Sequence, residues 1–443
     1  MTELSFIIAK PAYEPATATA RFAYQLGDLH FTETLHFPQD TDIAAAKAPA
    51  FAKLLDLTAA VLGVSYFKLL APFDIALPDI ALAPAELDFV RDVYENGLGE
   101  FYARNNLKRF GKLNISARTD TTAIAAPKLP DRILIPIGGG KDSLVSVQLL
   151  EKAGLAFTPF AVNPKGPILT SVEKIGKPAL YVTRTLDAEM IRLGTTKGYY
   201  NGHVPSTAIN SMIAALTALL FGYNRIALSN ERSASEGNMT FDGREANHQH
   251  SKSLPFERLI AETLSNATGG ALGYFSLLRP YSEARIAALF ARESRFDKVF
   301  SSCNRNFKLS GHDGPLWCGE CPKCHFTFLI LAPEMDKQRL LAIFGQNLLA
   351  KPQNELPYRE LTGLAGQKPW ECVGEILEAA ACLWTLTKRP DWQDDLLVKT
   401  LKADLEAQYG ATPLQTAMAD LKADTNDHLI PANLAEQVAK HAL

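Results

Sequence analysis

The sequence predicts an α/β protein: a parallel sheet with helices on both faces, preceded by a small α+β region and followed by a helical tail. Three observations predict it. From Ile133 onward, short apolar runs rich in β-branched residues alternate with longer helical stretches, the order that βαβ units produce. The first of those runs enters a triple glycine and then a helix. Before residue 125 apolar residues instead alternate over short spans, and beyond Cys324 the helical period takes over.

Taken in order, Ser5–Ala9, Ala20–Leu26 and His30–Phe37 read as short antiparallel strands, and Ala50–Leu62 and Ala85–Arg104 as helices. Arg118–Pro130 reads as a linker by composition. The sheet strands are then Ile133–Ile137, Phe157–Val162, Leu180–Thr183, Arg225–Ser229 and Lys298–Ser302. The segment after the glycines carries Leu144, Val147 and Leu150 on one helical face and stops before Gly154. Ser206–Tyr223 is a largely apolar helix with Ser206 as its N-cap. The tail contributes helices over Phe326–Ala332, Met335–Phe344, Glu371–Leu386 and Asp394–Tyr409. The expected domains are therefore 1–125, 126–325 and 326–443.

Composition narrows the partners. The 443 residues are 47% apolar and 21% charged, with a formal net charge of −3, an ordinary globular balance without the basic excess of a protein that grips nucleic acid. The first residues have neither a basic stretch nor a long apolar core, so no signal peptide is expected. No uninterrupted apolar run approaches the ~18 residues of a membrane span. Six cysteines, three of them within Cys318–Cys324, point to metal ligation in a reducing compartment rather than to a disulfide framework. A cytoplasmic location is expected; the oligomeric state is left open by the sequence.

A strand, a glycine turn and a helix in succession make an anion cradle. Glycines let backbone N–H groups approach a phosphate, and the helix N-terminus adds unpaired donors and partial positive charge. The Walker A pattern fails because Asp142 follows Lys141, and the dinucleotide pattern fails for want of its third glycine. What remains, Gly138-Gly139-Gly140-Lys141-Asp142-Ser143, resembles the S-G-G-x-D-S signature of the PP-loop ATP pyrophosphatases, the adenine nucleotide alpha-hydrolase-like fold. That resemblance implies cleavage of ATP between its α and β phosphates and adenylation of a substrate oxygen. One departure is that Gly138 replaces the first serine, which removes one hydroxyl contact to pyrophosphate. The bland alternative is a buried βα turn that binds nothing.

Four further stretches fall at strand ends or helix starts. His203, in the loop Lys197–Ser206, could act as an acid or base near neutral pH, or be an exposed loop histidine. Glu231 and Arg232 follow the fourth strand, a region that borders the nucleotide or the acceptor in PP-loop enzymes. His248, His250 and Lys252 cluster in a polar segment that suits a metal, an anionic intermediate or simply a mobile loop. Arg279, in Leu278-Arg279-Pro280-Tyr281, resembles the R-P-L segment of PP-loop proteins, with Tyr281 in place of leucine, and could meet a phosphate.

Cys318, Cys321 and Cys324 follow Cys303 after fourteen intervening residues. Four such thiols suit a structural, tetrahedral Zn²⁺ site, with His325 as a substitute ligand. The arrangement resembles the zinc-binding tail of the 7-cyano-7-deazaguanine synthases, also PP-loop enzymes. Cys372 and Cys382 read as core residues of a helix.

Three readings of the whole chain follow. The deazaguanine synthases share the loop and the cysteines but lack the N-terminal region and the long tail. The tRNA-modifying PP-loop enzymes share only the loop. The Ser229-Asn230-Glu231-Arg232-Ser233 and Trp317–Cys324 segments, the glycine loop and the N-terminal α+β region together resemble the UDP-N-acetylmuramoyl-L-alanyl-L-glutamate epimerases. That family inverts the terminal L-glutamate of a peptidoglycan precursor, a UDP-linked muramoyl dipeptide. It uses ATP and Mg²⁺ and releases AMP and diphosphate. The resemblance implies an acyl-adenylate that acidifies the α-proton, with Lys141 neutralising phosphate charge and Asp142 helping to hold Mg²⁺. The proton-transfer groups would come from His203, His248, His250 or Lys252, with His203 placed first. A non-catalytic nucleotide sensor on the same sheet is the alternative from another class.

Overall fold

A computed structural model describes residues 4–307 and 314–442. The N-terminal region forms strands β1 (Ser5–Ile8), β2 (Ala12–Glu14), β3 (Thr19–Leu26), β4 (Leu29–His36), β5 (Asp74–Leu82) and β6 (Asn114–Thr119). The central region adds β7 (Ile133–Pro136), β8 (Phe157–Val162), β9 (Leu180–Thr185) and β10 (Arg225–Leu228). A small hairpin of β11 (Met239–Phe241) and β12 (Arg244–Ala246) follows, then β13 (Gly273–Ser276).

One mixed sheet runs through the molecule in the order β13-β10-β7-β8-β9-β4-β3-β1-β5-β6, with β2 paired to β3. The five strands from β13 to β9 are all parallel. Their chain order reverses between β7 and β10. In a doubly wound sheet that reversal opens a crevice at the carboxyl ends of the two strands, because their following helices leave to opposite faces. The glycine turn closes β7 at that point.

Alternate strand residues feed two separate cores, as the period of two requires. Leu134, Phe160, Val182, Ile226 and Tyr274 pack with the Ser206–Phe221 helix and the N-terminal helices. Ile133, Ile135, Ala227 and Phe275 face the other way, onto the Lys141–Lys152 and Glu283–Ala291 helices and the C-terminal helices. That is why these strands read as continuous apolar runs. The apolar stretch Pro49–Phe67, long enough by composition to cross a membrane, is 94% buried in the first core.

The N-terminal region is continuous with the central sheet. Strand β4 pairs antiparallel with β9, with Thr34, Leu35 and His36 opposite Thr185, Arg184 and Thr183. Arg184 grips the fully buried Glu33 through Nε–Oε1 at 2.6 Å and Nη2–Oε2 at 3.3 Å, and also donates to Ser65 Oγ at 2.9 Å.

Several expectations need correction. Lys298–Ser302 is not a strand; its Ser301 N–H donates to Gly139 O at 2.9 Å, so the segment braces the glycine turn instead of joining a ladder. The fifth parallel strand is β13, too short to stand out among the glycines before it. Ala85–Arg104 is split into the Pro84–Glu95 and Gly99–Asn105 helices. Ser206 is the first helical residue rather than the cap, because Pro205 occupies the N-cap position. Strands β5 and β6 were not foreseen, and the ladder between them is shifted between Leu77 and Ala81, around Pro78.

Candidate active site

The crevice holds a cavity of about 360 Å³. Its floor is the glycine turn. Gly139 has φ +79°, and a Cβ there would lie 2.9 Å from backbone atoms of Pro167 and Ile168, so only glycine fits. Gly138 has open space around it, and Gly140 has only Ser302 Cβ at 3.7 Å. Gly140 caps the Lys141–Lys152 helix without a side-chain bond. The first N–H groups of that helix therefore remain available to an anion at the cavity, the requirement of a phosphate cradle.

Beside the floor stand three carboxylates. Oxygens of Asp142, Glu231 and Glu283 lie within 4.8 Å of one another, and Lys141 Nζ bonds both Asp142 and Glu283. Burial would lower the Lys141 ammonium's pKa, but Asp142 and Glu283 outweigh it and hold it charged. Burial pushes the Glu283 carboxyl up; Lys141 pulls it down, and Asp142, Glu231 and Glu378 push it up again. The converging carboxylate oxygens of Asp142, Glu231 and Glu283 are a ligand set that suits a hard divalent cation.

Lys252, Lys323 and Cys372 also line the cavity. Burial disfavours a thiolate, yet the Lys252 ammonium, a hydrogen bond from His248 and the Lys323 charge bring Cys372 down to about 6. Burial likewise opposes charge on His248, but its bonds to Cys372 and Glu100 bring it up to about 9. His248 Nδ1 lies 2.5 Å from Glu100 Oε2. His203 lies against His248 with ring centroids 4.5 Å apart and planes tilted by 47°, and burial together with the charge on His248 pulls it down to about 4.

The cysteine cluster lies outside the cavity lining, flanking Lys323 in the chain. Sulfur separations are 3.5 Å for Cys321–Cys324, 3.7 Å for Cys318–Cys324 and 4.0 Å for Cys303–Cys321, with all four within 4.8 Å of one another. Zn–S bonds of about 2.3 Å in a tetrahedron put sulfurs about 3.8 Å apart, so this set fits the ion. His325 lies outside it, packed on Tyr358 at 5.4 Å.

Of the residues singled out from sequence, Gly138, Gly140, Lys141, Asp142, Ser143, Glu231 and Lys252 line the cavity. His203 and His248 lie behind its wall, and His250 bonds Asp92 at 2.7 Å instead of lining it. Arg232 reaches away, to Ala423 O at 3.3 Å. Arg279 is 1% exposed and spends its guanidinium on Glu257 and on the carbonyls of Glu231 and Lys252. It positions two cavity residues from below and does not face the cavity.

Glu283, Lys323 and Cys372 were missed. Glu283 was within sight, four residues past Arg279 at the start of a helix that Ser282 caps. Cys372 carried no local signal: it lies in a bend before the Ile376–Leu386 helix, not in the helix core where sequence put it. Cys382 is buried in that helix as expected.

Comparison with known proteins adds a family assignment. Residues 2–277 match a family model described as the MurL N-terminal domain, and residues 299–416 one described as the MurL C-terminal domain. A protein of Xanthomonas oryzae pv. oryzae named UDP-N-acetyl-alpha-D-muramoyl-L-alanyl-L-glutamate epimerase is 40% identical over 96% of this chain and 94% of its own length. Proteins of the same name from a Micromonospora species and from Salinispora tropica are each 39% identical, over 97% and 90% of this chain and 97% and 88% of their own lengths.

Proposed function

The chain belongs to the MurL family, and from that premise we propose that it inverts the terminal L-glutamate of UDP-N-acetylmuramoyl-L-alanyl-L-glutamate to D-glutamate, using ATP to activate the carboxylate. The observation that carries the ATP half is the uncapped helix at the glycine turn, opening into a cavity at the sheet's switch point. We read that arrangement as the PP-loop fold and the cradle as a diphosphate site.

The chemistry follows from acidity. Removing a proton beside a carboxylate would place a second negative charge next to the first. Joining that carboxylate to AMP, with release of diphosphate, gives an acyl-adenylate whose enolate carries its charge on a carbonyl oxygen. Loss and return of the α-proton on opposite faces then invert the centre, and water releases AMP. Lys141 and the helix N–H groups would offset the phosphate charge, an electrostatic role that needs no rearrangement during the reaction. Asp142, Glu231 and Glu283 would hold Mg²⁺, which when bound supplies charge neutralisation on the phosphate oxygens.

Cys303, Cys318, Cys321 and Cys324 would hold a structural Zn²⁺, fixing the segment whose Ser301 braces the glycine turn. Use of ATP and of four zinc-held thiols would suit a reducing, ATP-containing compartment such as the cytoplasm.

The test is incubation with Mg-ATP and the UDP-linked muramoyl dipeptide in deuterated water. AMP release with one deuterium at the glutamate α-carbon and a D-configured product is the expected result, and Asp142→Ala should remove AMP formation without unfolding the protein. Tight ATP binding with no AMP release would move the protein to the sensor class, and AMP release only with 7-carboxy-7-deazaguanine and ammonia to the nitrile-forming enzymes.

A further inference from the structure

The groups in the cavity divide by what they can do. Lys141 is held between Asp142 and Glu283, and the three carboxylates share one corner. Lys252 faces the charges of Cys372, Glu231, Asp142 and Glu283; although burial opposes it, these keep the ammonium protonated well past neutrality, so it is no base. Lys323 pairs with Glu371 at 3.9 Å. The three histidines are spent behind the wall on Glu100 and Asp92. With the carboxylates assigned to the cation, Cys372 is the lining group left to take a proton.

It is also held in place. Glu371 accepts from Asn304 Nδ2 at 2.5 Å on one side, and Val373 O accepts from Gln249 Nε2 at 3.2 Å on the other. Gly374 is packed so closely by Phe326 and Glu378 that a Cβ there would meet atoms at 2.4–2.6 Å. A side chain fixed on both flanks at a cavity wall, between two cationic groups, is built for a defined encounter and not for filling space.

We propose that Cys372 is the catalytic base that removes the substrate's α-proton, an assignment that rests on the acyl-adenylate reading above. The thiolate takes the proton from Cα; the C–H electron pair moves into the acyl group, giving the enolate of the adenylate. The Lys252 ammonium gives a proton to the other face of Cα, leaving a neutral amine. The thiol then passes its proton to that amine, which restores thiolate and ammonium with no net change in either residue. The groups that face the thiol are Lys252, Lys323 and His248, all of which favour its charged form.

The experiment compares the whole protein with Cys372→Ala and Cys372→Ser, each with Mg-ATP and the UDP-linked muramoyl dipeptide in deuterated water. Expected is a loss of α-deuteration and of D-product of about 1,000-fold, the scale of a lost general base. Substrate-dependent AMP release should stay within about tenfold, its product L-configured and undeuterated. Inversion by the variants within about tenfold of the parent overturns the proposal. So does loss of AMP release together with inversion, which marks a structural role. No AMP from the parent protein would instead remove the adenylate reading beneath it. A second readout does not need turnover: thiolate absorbance of the parent minus Cys372→Ser should titrate near pH 6, and move upward in Lys252→Met. A midpoint near the ordinary thiol value of about 8.5 overturns the assignment.

Discussion

Gly139→Ala isolates the contribution of the glycine turn from everything around it. The residue sits at φ +79°, where an L side chain costs about 1–2 kcal/mol. The new methyl would also lie 2.9 Å from Pro167 C and Ile168 N, backbone atoms that cannot swing aside. Forcing such a contact costs about 1–3 kcal/mol, so a central value for the sum is ~3 kcal/mol. For 443 residues unfolding together each kcal/mol moves the melting temperature by about 1 °C, giving a fall of roughly 3 °C. Gly138→Ala is the matched control. No atom lies within 4 Å of the Cβ it adds and its φ is not positive, so it should melt within about 1 °C of the parent. Differential scanning calorimetry of the three proteins decides the matter. Equal melting of the two variants, in either direction, would refute the claim that the turn is held by close backbone approach at Gly139.

Two more outcomes are expected. Elemental analysis should find one zinc per chain, lost with a lower melting temperature in Cys321→Ser; a purified protein with four reactive thiols and no zinc would return the cluster to simple packing. Arg279→Met should destabilise by about 3–5 kcal/mol, because it strands the buried Glu257 carboxylate. A stable Arg279→Met whose only defect is a raised KM for ATP would restore the phosphate-contact role read from sequence.

What was legible in the sequence is what depends on neighbours along the chain. The glycine turn announces itself because strand, turn and helix are contiguous, and the cysteines because two knuckle positions are three residues apart. The parallel strands were legible because both of their faces are buried, which leaves an unbroken apolar run. What was not legible depends on partners far along the chain. Arg279 was read as a phosphate fork because nothing local reveals Glu257, twenty-two residues earlier, as the group that occupies it. Cys372 acquires its chemistry from Lys252 and His248, more than a hundred residues away. Lys298–Ser302 has the composition of a strand, but the sheet position it would fill is taken by β13 beside β10.

The Glu33–Arg184 pair at the seam of the sheet has a consequence for how the chain can be handled. A parallel sheet ending at β9 would expose a row of unpaired backbone groups, the kind of template on which chains aggregate or swap. Strand β4 covers that row. Its Glu33, fully buried, would be stranded without the guanidinium opposite, so a foreign strand lacking a matching carboxylate is a poor replacement. The N-terminal strands thus serve as a keyed cover for the parallel part of the sheet. Expressing residues 126–443 alone would remove the cover and leave the lock, and self-association through β9 is the failure to expect.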